Sequence, residues 1–210
     1  MNEFIYGKEE MDYLCQKDGK MKEVIETLGM IHREVDDDLF TSVIHHIVGQ
    51  QISTKAQKTI YQRMKDGLGV IDEDTICEAS DAYLQSFGLT FRKVSYMKDF
   101  ALKVRNHEID LDGLYVKSDE EVIEILQSLK GIGRWTAEMI LLFCMQRKNV
   151  FAYDDLAIQR GLRMVYHHRK ITKQLFEKYR RRFSPYCSIA SLYLWAVAGG
   201  KMEGMKDYGK

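Results

Sequence analysis

Apolar residues recur in this chain at intervals of three and four almost from end to end. No segment alternates apolar with polar positions well enough to read as a strand. A chain with that rhythm buries its stripes by packing helix on helix. Val43, Ile44, Ile47 and Val48 form one stripe, behind Asp36-Asp37-Asp38, whose carboxylates suit a helix start. Ser53 can cap a second helix that carries Ala56, Ile60 and Met64 and ends near Gly67. Met97, Ala101 and Val104 line one side of 91–104, and Val122, Ile125, Leu126 and Leu129 make another stripe. The segments 135–145 and 187–198 are apolar on most sides, the latter ending at Gly199-Gly200. Pro185 is the only proline. The expected fold is all-α, about nine to eleven helices joined by short loops.

At 210 residues the chain has room for one domain or two small lobes. Its longest apolar runs, 139–145 and 192–198, are seven residues each, far short of a membrane span. The acidic start (Glu3, Glu9, Glu10, Asp12) does not resemble a signal peptide. Cys15, Cys77, Cys144 and Cys187 stand 62, 67 and 43 positions apart, which matches no zinc or iron–sulfur pattern and suits a reducing compartment. The side chains of each adjacent pair, His45-His46 and His167-His168, diverge on a helix, so no metal centre is expected. A soluble, cytoplasmic monomer follows as the expectation.

The formal net charge of zero conceals an asymmetry. Residues 1–40 carry five basic and eleven acidic side chains, a balance of −6; residues 160–182 carry nine basic against one acidic, a balance of +8. That separation admits a basic face for a polyanion, and equally a solvated helix surface.

Two segments echo one another. Leu84-Gln85-Ser86-Phe87-Gly88 and Leu126-Gln127-Ser128-Leu129-Lys130-Gly131-Ile132-Gly133 each close a helix, turn at glycine and open another. In the second, two glycines permit a turn with positive φ that uncovers backbone N–H groups at a helix start, an anion site of phosphate size. Lys130 and Arg134 add charge there, and Ile132 can anchor the turn. A plain glycine-rich connection has the same pattern.

The run Leu129-Lys130-Gly131-Ile132-Gly133-Arg134-Trp135-Thr136-Ala137 resembles the DNA-binding hairpin of the helix-hairpin-helix DNA glycosylases. Three further segments match that family in order: Ile47-Val48-Gly49-Gln50-Gln51-Ile52-Ser53, like its strand-intercalating turn; 150–160 with Asp154-Asp155, like its aspartate loop; and 185–195, like the last helix of the alkylation-repair, 3-methyladenine DNA glycosylase II branch. The resemblance covers about residues 39–198 and implies two helical lobes with an active-site cleft. One lobe is a six-helix bundle over 39–149, with the hairpin motif at about 119–146. The other joins 1–38 to 150–210.

The same resemblance implies a monofunctional glycosylase that flips an alkylated purine out of duplex DNA and hydrolyses its N-glycosidic bond. Members that also cut the backbone carry a lysine where this chain has Trp135, so no amine is placed for a Schiff base. Asp155 is the implied catalytic carboxylate, although Asp154 and Asp155 would equally serve as helix caps. Trp135 and Trp195 would line the base pocket, with Met139 and Tyr193 nearby. Gln51, with Gln50 beside it, would enter the space left by the flipped base. Lys130, Gly131, Gly133, Arg134 and Thr136 would meet phosphate. No cofactor is required, although the resemblance suggests a monovalent cation at the hairpin carbonyls. Where the family often has proline before its aspartate, this chain has Phe151-Ala152-Tyr153. A glycosylase for oxidised or deaminated bases, and a non-catalytic helix-hairpin-helix DNA-binding module, remain as alternatives.

Overall fold

The computed structural model describes residues 2–36 and 38–209; Asp37 of the acidic cluster lies outside the described residues. In chain order the elements are β1 (Asn2–Glu3), α1 (Lys8–Lys17), α2 (Gly19–Leu28), β2 (Glu34–Val35), α3 (Leu39–Gly49), α4 (Thr54–Leu68), α5 (Glu73–Glu78), α6 (Asp81–Ser86), α7 (Phe91–Arg105), a 3-10 turn (Asp112–Val116), α8 (Asp119–Gln127), α9 (Arg134–Phe143), α10 (Leu156–Tyr166), α11 (Lys173–Phe183) and α12 (Cys187–Ala198). The fold is all-α in substance. Twelve α-helices appear among the described residues, more than the sequence suggested; the six-residue α5 is too short to display a periodic stripe. One departure is a two-residue antiparallel ladder pairing Asn2 with Val35 and Glu3 with Glu34, below the length at which alternation registers. No helix among the described residues is long and apolar enough to cross a membrane.

The chain divides into two compact units, Met1–Val35 with Gln146–Lys210, and Asp36–Met145. These boundaries differ from the expected 39 and 149, and local hydrogen bonds explain why. Asp36 N–H donates to the Phe143 carbonyl at 2.8 Å, and its carboxylate accepts from Ser42 Oγ at 2.7 Å. Residues 146–149 bond instead to the terminal segments: Ile5 N–H donates to Gln146 Oε1, and Ser188 N–H to the Lys148 carbonyl. The 36–145 unit holds seven α-helices, α3 to α9, where six were expected.

In that unit α3 contributes Val43, Ile44, Ile47 and Val48, all fully buried, each side chain adding roughly 1.5–3 kcal/mol of burial. The helix starts are built by local caps: Asp38 accepts from Thr41 N–H, Ser53 from Ala56 N–H, and Ser118 and Glu121 form a reciprocal capping box at α8. In the other unit α12 is buried almost all round and packs along α10. Gly161 makes that crossing close. A Cβ at this position would lie 2.5 Å from the Leu194 carbonyl oxygen, so only a glycine lets α10 approach the α12 backbone there. All four cysteines are free thiols, Cys144 and Cys187 buried.

Candidate active site

Asp155 is the N-cap of α10 and is only 6% exposed, whereas Asp154 points to solvent. Three donors converge on one of its oxygens: Oδ1 accepts from Ala157 N–H at 2.9 Å, Ile158 N–H at 2.8 Å and Trp195 Nε1–H at 3.1 Å. The first two come from the helix start itself. The third arrives from α12 and depends on the close crossing at Gly161. Capping and a chemical role are therefore compatible in one residue, because the cap fixes Oδ1 and with it the direction of the whole carboxylate.

The loop before Asp155 is held by stacking where proline would have supplied stiffness. Phe151 stacks on Phe176 of α11 at 4.3 Å and meets Phe183 edge-on at 5.9 Å; Tyr153 meets Phe176 edge-on at 5.2 Å. Gln159 Nε2–H donates back to the Tyr153 carbonyl at 2.7 Å, and Asp155 N–H to the Ala152 carbonyl at 3.3 Å. The departure from the family's pattern thus leaves the aspartate braced.

In the 36–145 unit, Gly131 turns at φ +84°, and a Cβ there would lie 2.4 Å from the Tyr96 ring, so both conformation and space demand glycine. Gly133 is different. It is the N-cap of α9 in extended conformation (φ −92°, ψ 173°), with no side-chain cap, and a Cβ would meet nothing within 4 Å. Nothing in the fold calls for glycine at 133, which is what a backbone kept bare for an approaching anion requires. Thr136 lies partly exposed in the first turn of α9, and Trp135 beside it is 43% exposed.

The charged hairpin residues are partly committed elsewhere. Arg134 forms a bidentate pair with Glu120 at 2.7 and 2.9 Å and reaches Glu138 at 3.2 Å; these carboxylates raise its pKa further. Lys130 Nζ donates to Asp99 Oδ1 at 2.6 Å, holding the Asp99 carboxyl below its ordinary range. Both side chains brace the hairpin against neighbouring helices in addition to lending it charge. The basic 160–182 segment is partly paired as well, although most of its basic side chains stay exposed. Arg163 and Arg160 pair with Asp207, Arg180 with Glu177 and Arg182 with Asp18.

Two expected pocket residues are buried in this structure. Tyr193 is fully buried and its hydroxyl donates to the Gly29 carbonyl at 2.9 Å. Two residues from Trp195 on a helix, it necessarily points away from it. Met139, only 4% exposed, is likewise a core side chain beneath the α9 surface. Gln51 stands exposed at the α3–α4 turn with φ +56°. Gln50 turns aside, and its Nε2–H donates to the Gly131 carbonyl at 2.8 Å. That bond and the Trp195–Asp155 bond span 81 and 40 residues and left no signal in the sequence.

No group of three or more His, Cys, Asp or Glu able to hold a metal occurs among the described residues. A monovalent cation at the hairpin would rest on main-chain carbonyls. Of these, Gly131 accepts from Gln50 and Leu129 from Ile132 N–H, each keeping a second lone pair.

Residues 44–185 match the HhH-GPD superfamily of base excision DNA repair proteins. The chain belongs to this superfamily. Among relatives of this HhH-GPD protein, DNA-3-methyladenine glycosylase 1 of Schizosaccharomyces pombe is 32% identical over 183 residues, spanning 81% of this chain and 75% of the relative. The DNA-3-methyladenine glycosylase of Saccharomyces cerevisiae is 29% identical over 206 residues, 80% and 70% of the two chains. Of solved structures, a DNA-3-methyladenine glycosidase from Bacillus halodurans superposes with TM-score 0.86 at 30% identity, covering 97% of this HhH-GPD chain and 95% of its own. A 3-methyladenine DNA glycosylase of the same fission yeast, in complex with abasic DNA, gives 0.81 at 27% identity, covering 97% and 100%.

Proposed function

We propose that the chain is a DNA glycosylase that releases alkylated purines of the 3-methyladenine type from duplex DNA, the first step of base excision repair. The observation that most supports this reading is Asp155: a buried carboxylate pinned through one oxygen by two helix amides and an indole, on a chain of the HhH-GPD superfamily. Cleavage of the C1′–N bond sends its electron pair to the departing base and leaves positive charge on the sugar. A carboxylate beside C1′ stabilises that oxocarbenium-like state without a metal. Water then adds its oxygen to C1′ and loses a proton, for which the same carboxylate is the acceptor, leaving free base and an abasic site.

The remaining roles follow the chemistry of the side chains. Trp135, and Trp195 through its ring, offer π faces to a base made cationic by alkylation. The bare start of α9 at Gly133 takes a backbone phosphate, supported by Gly131, Lys130, Arg134 and Thr136. Gln51 fills the space the base vacates. With Trp135 in the position of the lyase branch's lysine, the reaction runs through water and stops at the abasic site. The enzyme acts as a cytoplasmic, DNA-associated monomer.

Single-turnover release of free base from a methylated duplex tests the proposal, comparing the native chain with Asp155→Asn and including a borohydride-trapping lane. Release that collapses in the variant, with no trapped adduct, is the expected result. No release from the native chain while DNA binding persists would remove the alkylpurine assignment, and a borohydride-trapped adduct would remove the water mechanism.

A further inference from the structure

The turn that carries Gln51 is tied to the hairpin by Gln50 and by side chains of α7. Four residues, 50–53, link α3 to α4, and Gln51 holds a left-handed conformation that residues with a Cβ adopt only rarely. Such a conformation persists where neighbouring groups over-determine it. Gln50 supplies one restraint, its amide donating to the Gly131 carbonyl at 2.8 Å. Lys93 supplies another. This lysine is 9% exposed, and its Nζ donates to the Val48 carbonyl at 2.8 Å, two residues before the turn. A buried ammonium on a terminal carbonyl of α3 also sits favourably at the negative end of that helix. Gln57 completes the frame from α4, donating to the His45 carbonyl at 2.9 Å.

Lys93 lies on α7, and the same helix supports the hairpin. Lys93, Tyr96 and Asp99 follow one another three apart along one side of α7. Lys93 holds the end of α3; Tyr96 packs against Gly131 so closely that no Cβ fits; Asp99 grips Lys130. Turn and hairpin are thus mounted on one strut, and the Gln50–Gly131 bond closes the frame between them.

We propose that Gln50 is a positioning residue that locks the Gln51-bearing turn to the hairpin through the Gly131 carbonyl, with Lys93 and α7 as its support, so that seating the hairpin on the backbone sets the depth at which Gln51 enters the duplex. This rests on the reading of Gln51 as the side chain that fills the vacated space. In this structure one N–H of the Gln50 amide is committed within the protein, to the Gly131 carbonyl.

The test needs no turnover. A duplex carrying a tetrahydrofuran abasic analogue opposite 2-aminopurine reports insertion through 2-aminopurine fluorescence, and an undamaged duplex of the same sequence reports hairpin binding alone. The native chain is expected to give a fluorescence change at saturation that Gln51→Ala abolishes. Gln50→Met keeps the length of the side chain but deletes its donor. It is expected to lose most of the signal and to bind the abasic duplex about three- to tenfold more weakly, in line with one hydrogen bond, with undamaged-duplex affinity unchanged. Lys93→Met gives the same pattern. If Gln50→Met matches the native chain, or weakens both duplexes equally, the inference is overturned. If the native chain itself shows no signal, the Gln51 reading falls and this inference falls with it; loss of signal in Gln51→Ala but not in Gln50→Met removes this inference alone.

Discussion

Two helices in this protein begin at candidate site residues and begin in opposite ways. At α10 the chain supplies its own anion: Asp155 occupies the N-cap and its Oδ1 takes the amides of Ala157 and Ile158. At α9 the N-cap is Gly133, which has no side chain to give, and its surroundings are open. The same physics, amide donors and a positive helix end, holds a carboxylate of the chain at one start and leaves the other open, where the proposed function seats a phosphate.

That contrast breaks most visibly at Asp155. Asparagine keeps the cap, since its Oδ1 can still accept from α10, but carries no charge. Asp155→Asn is therefore expected to fold with little loss in Tm and to lower single-turnover base release by about 10²–10⁴-fold, with DNA affinity retained. Trp195→Phe keeps an aromatic ring and deletes one of the three donors on Oδ1. Base release about 10- to 100-fold slower, at unchanged DNA affinity, is expected if aiming the carboxylate matters; an unchanged rate with weaker discrimination of cationic bases would leave Trp195 as a stacking surface only.

The glycine pair sharpens the other side of the comparison. Gly133→Ala should alter stability by under about 1 kcal/mol in thermal melts, because its backbone is extended and its surroundings empty. Its cost should appear as roughly tenfold weaker DNA binding. Gly131→Ala should behave in reverse: a positive φ and the Tyr96 ring oppose the new Cβ, lowering stability by about 1–3 kcal/mol even without DNA. Equal Tm losses for both would show that Gly133 serves the fold and not a ligand.

The smallest effect concerns the pair that pins the hairpin. The hydrogen bond from Lys130 lowers the Asp99 pKa, with a further contribution from Lys103. A depressed carboxylate contributes stability that is fully present above its unfolded value of about 3.9 and is lost as pH falls through the lower folded value. Asp99→Asn should therefore melt slightly below the native chain at pH 7, by about 1 kcal/mol or less, and the two curves should converge as the pH drops below 4.

Much of the helical framework was legible because its causes are local. Stripes of Val43, Ile44, Ile47 and Val48, the cap at Ser53 and the stop after Ala198 each depend on residues within about four positions, and the observed helices follow them. The short helix α5 escaped for the converse reason, a turn and a half being too little to show a period. At the site, the glycines of the hairpin were visible on the same local grounds, whereas Asp155 was set apart from Asp154 by the family resemblance. The burial of Tyr193 and Met139 was not legible, because an apolar helix carries no mark of which side faces a neighbour.

By itself, then, the sequence determined periodicity, caps and the glycines at a turn, because these are short-range consequences of side-chain shape and backbone donors. Tertiary structure alone decided which groups meet. Gly161 lets α10 close on α12 and so delivers the Trp195 indole to Asp155. Stacking on Phe176 braces the loop that lacks its family's proline. Internal carboxylates take up Arg134, Arg163 and Arg182, which composition alone left available to a polyanion. Partners 40, 81 and 164 residues apart are brought together by helix crossings, and a crossing is a property of two packed surfaces that neither segment encodes alone.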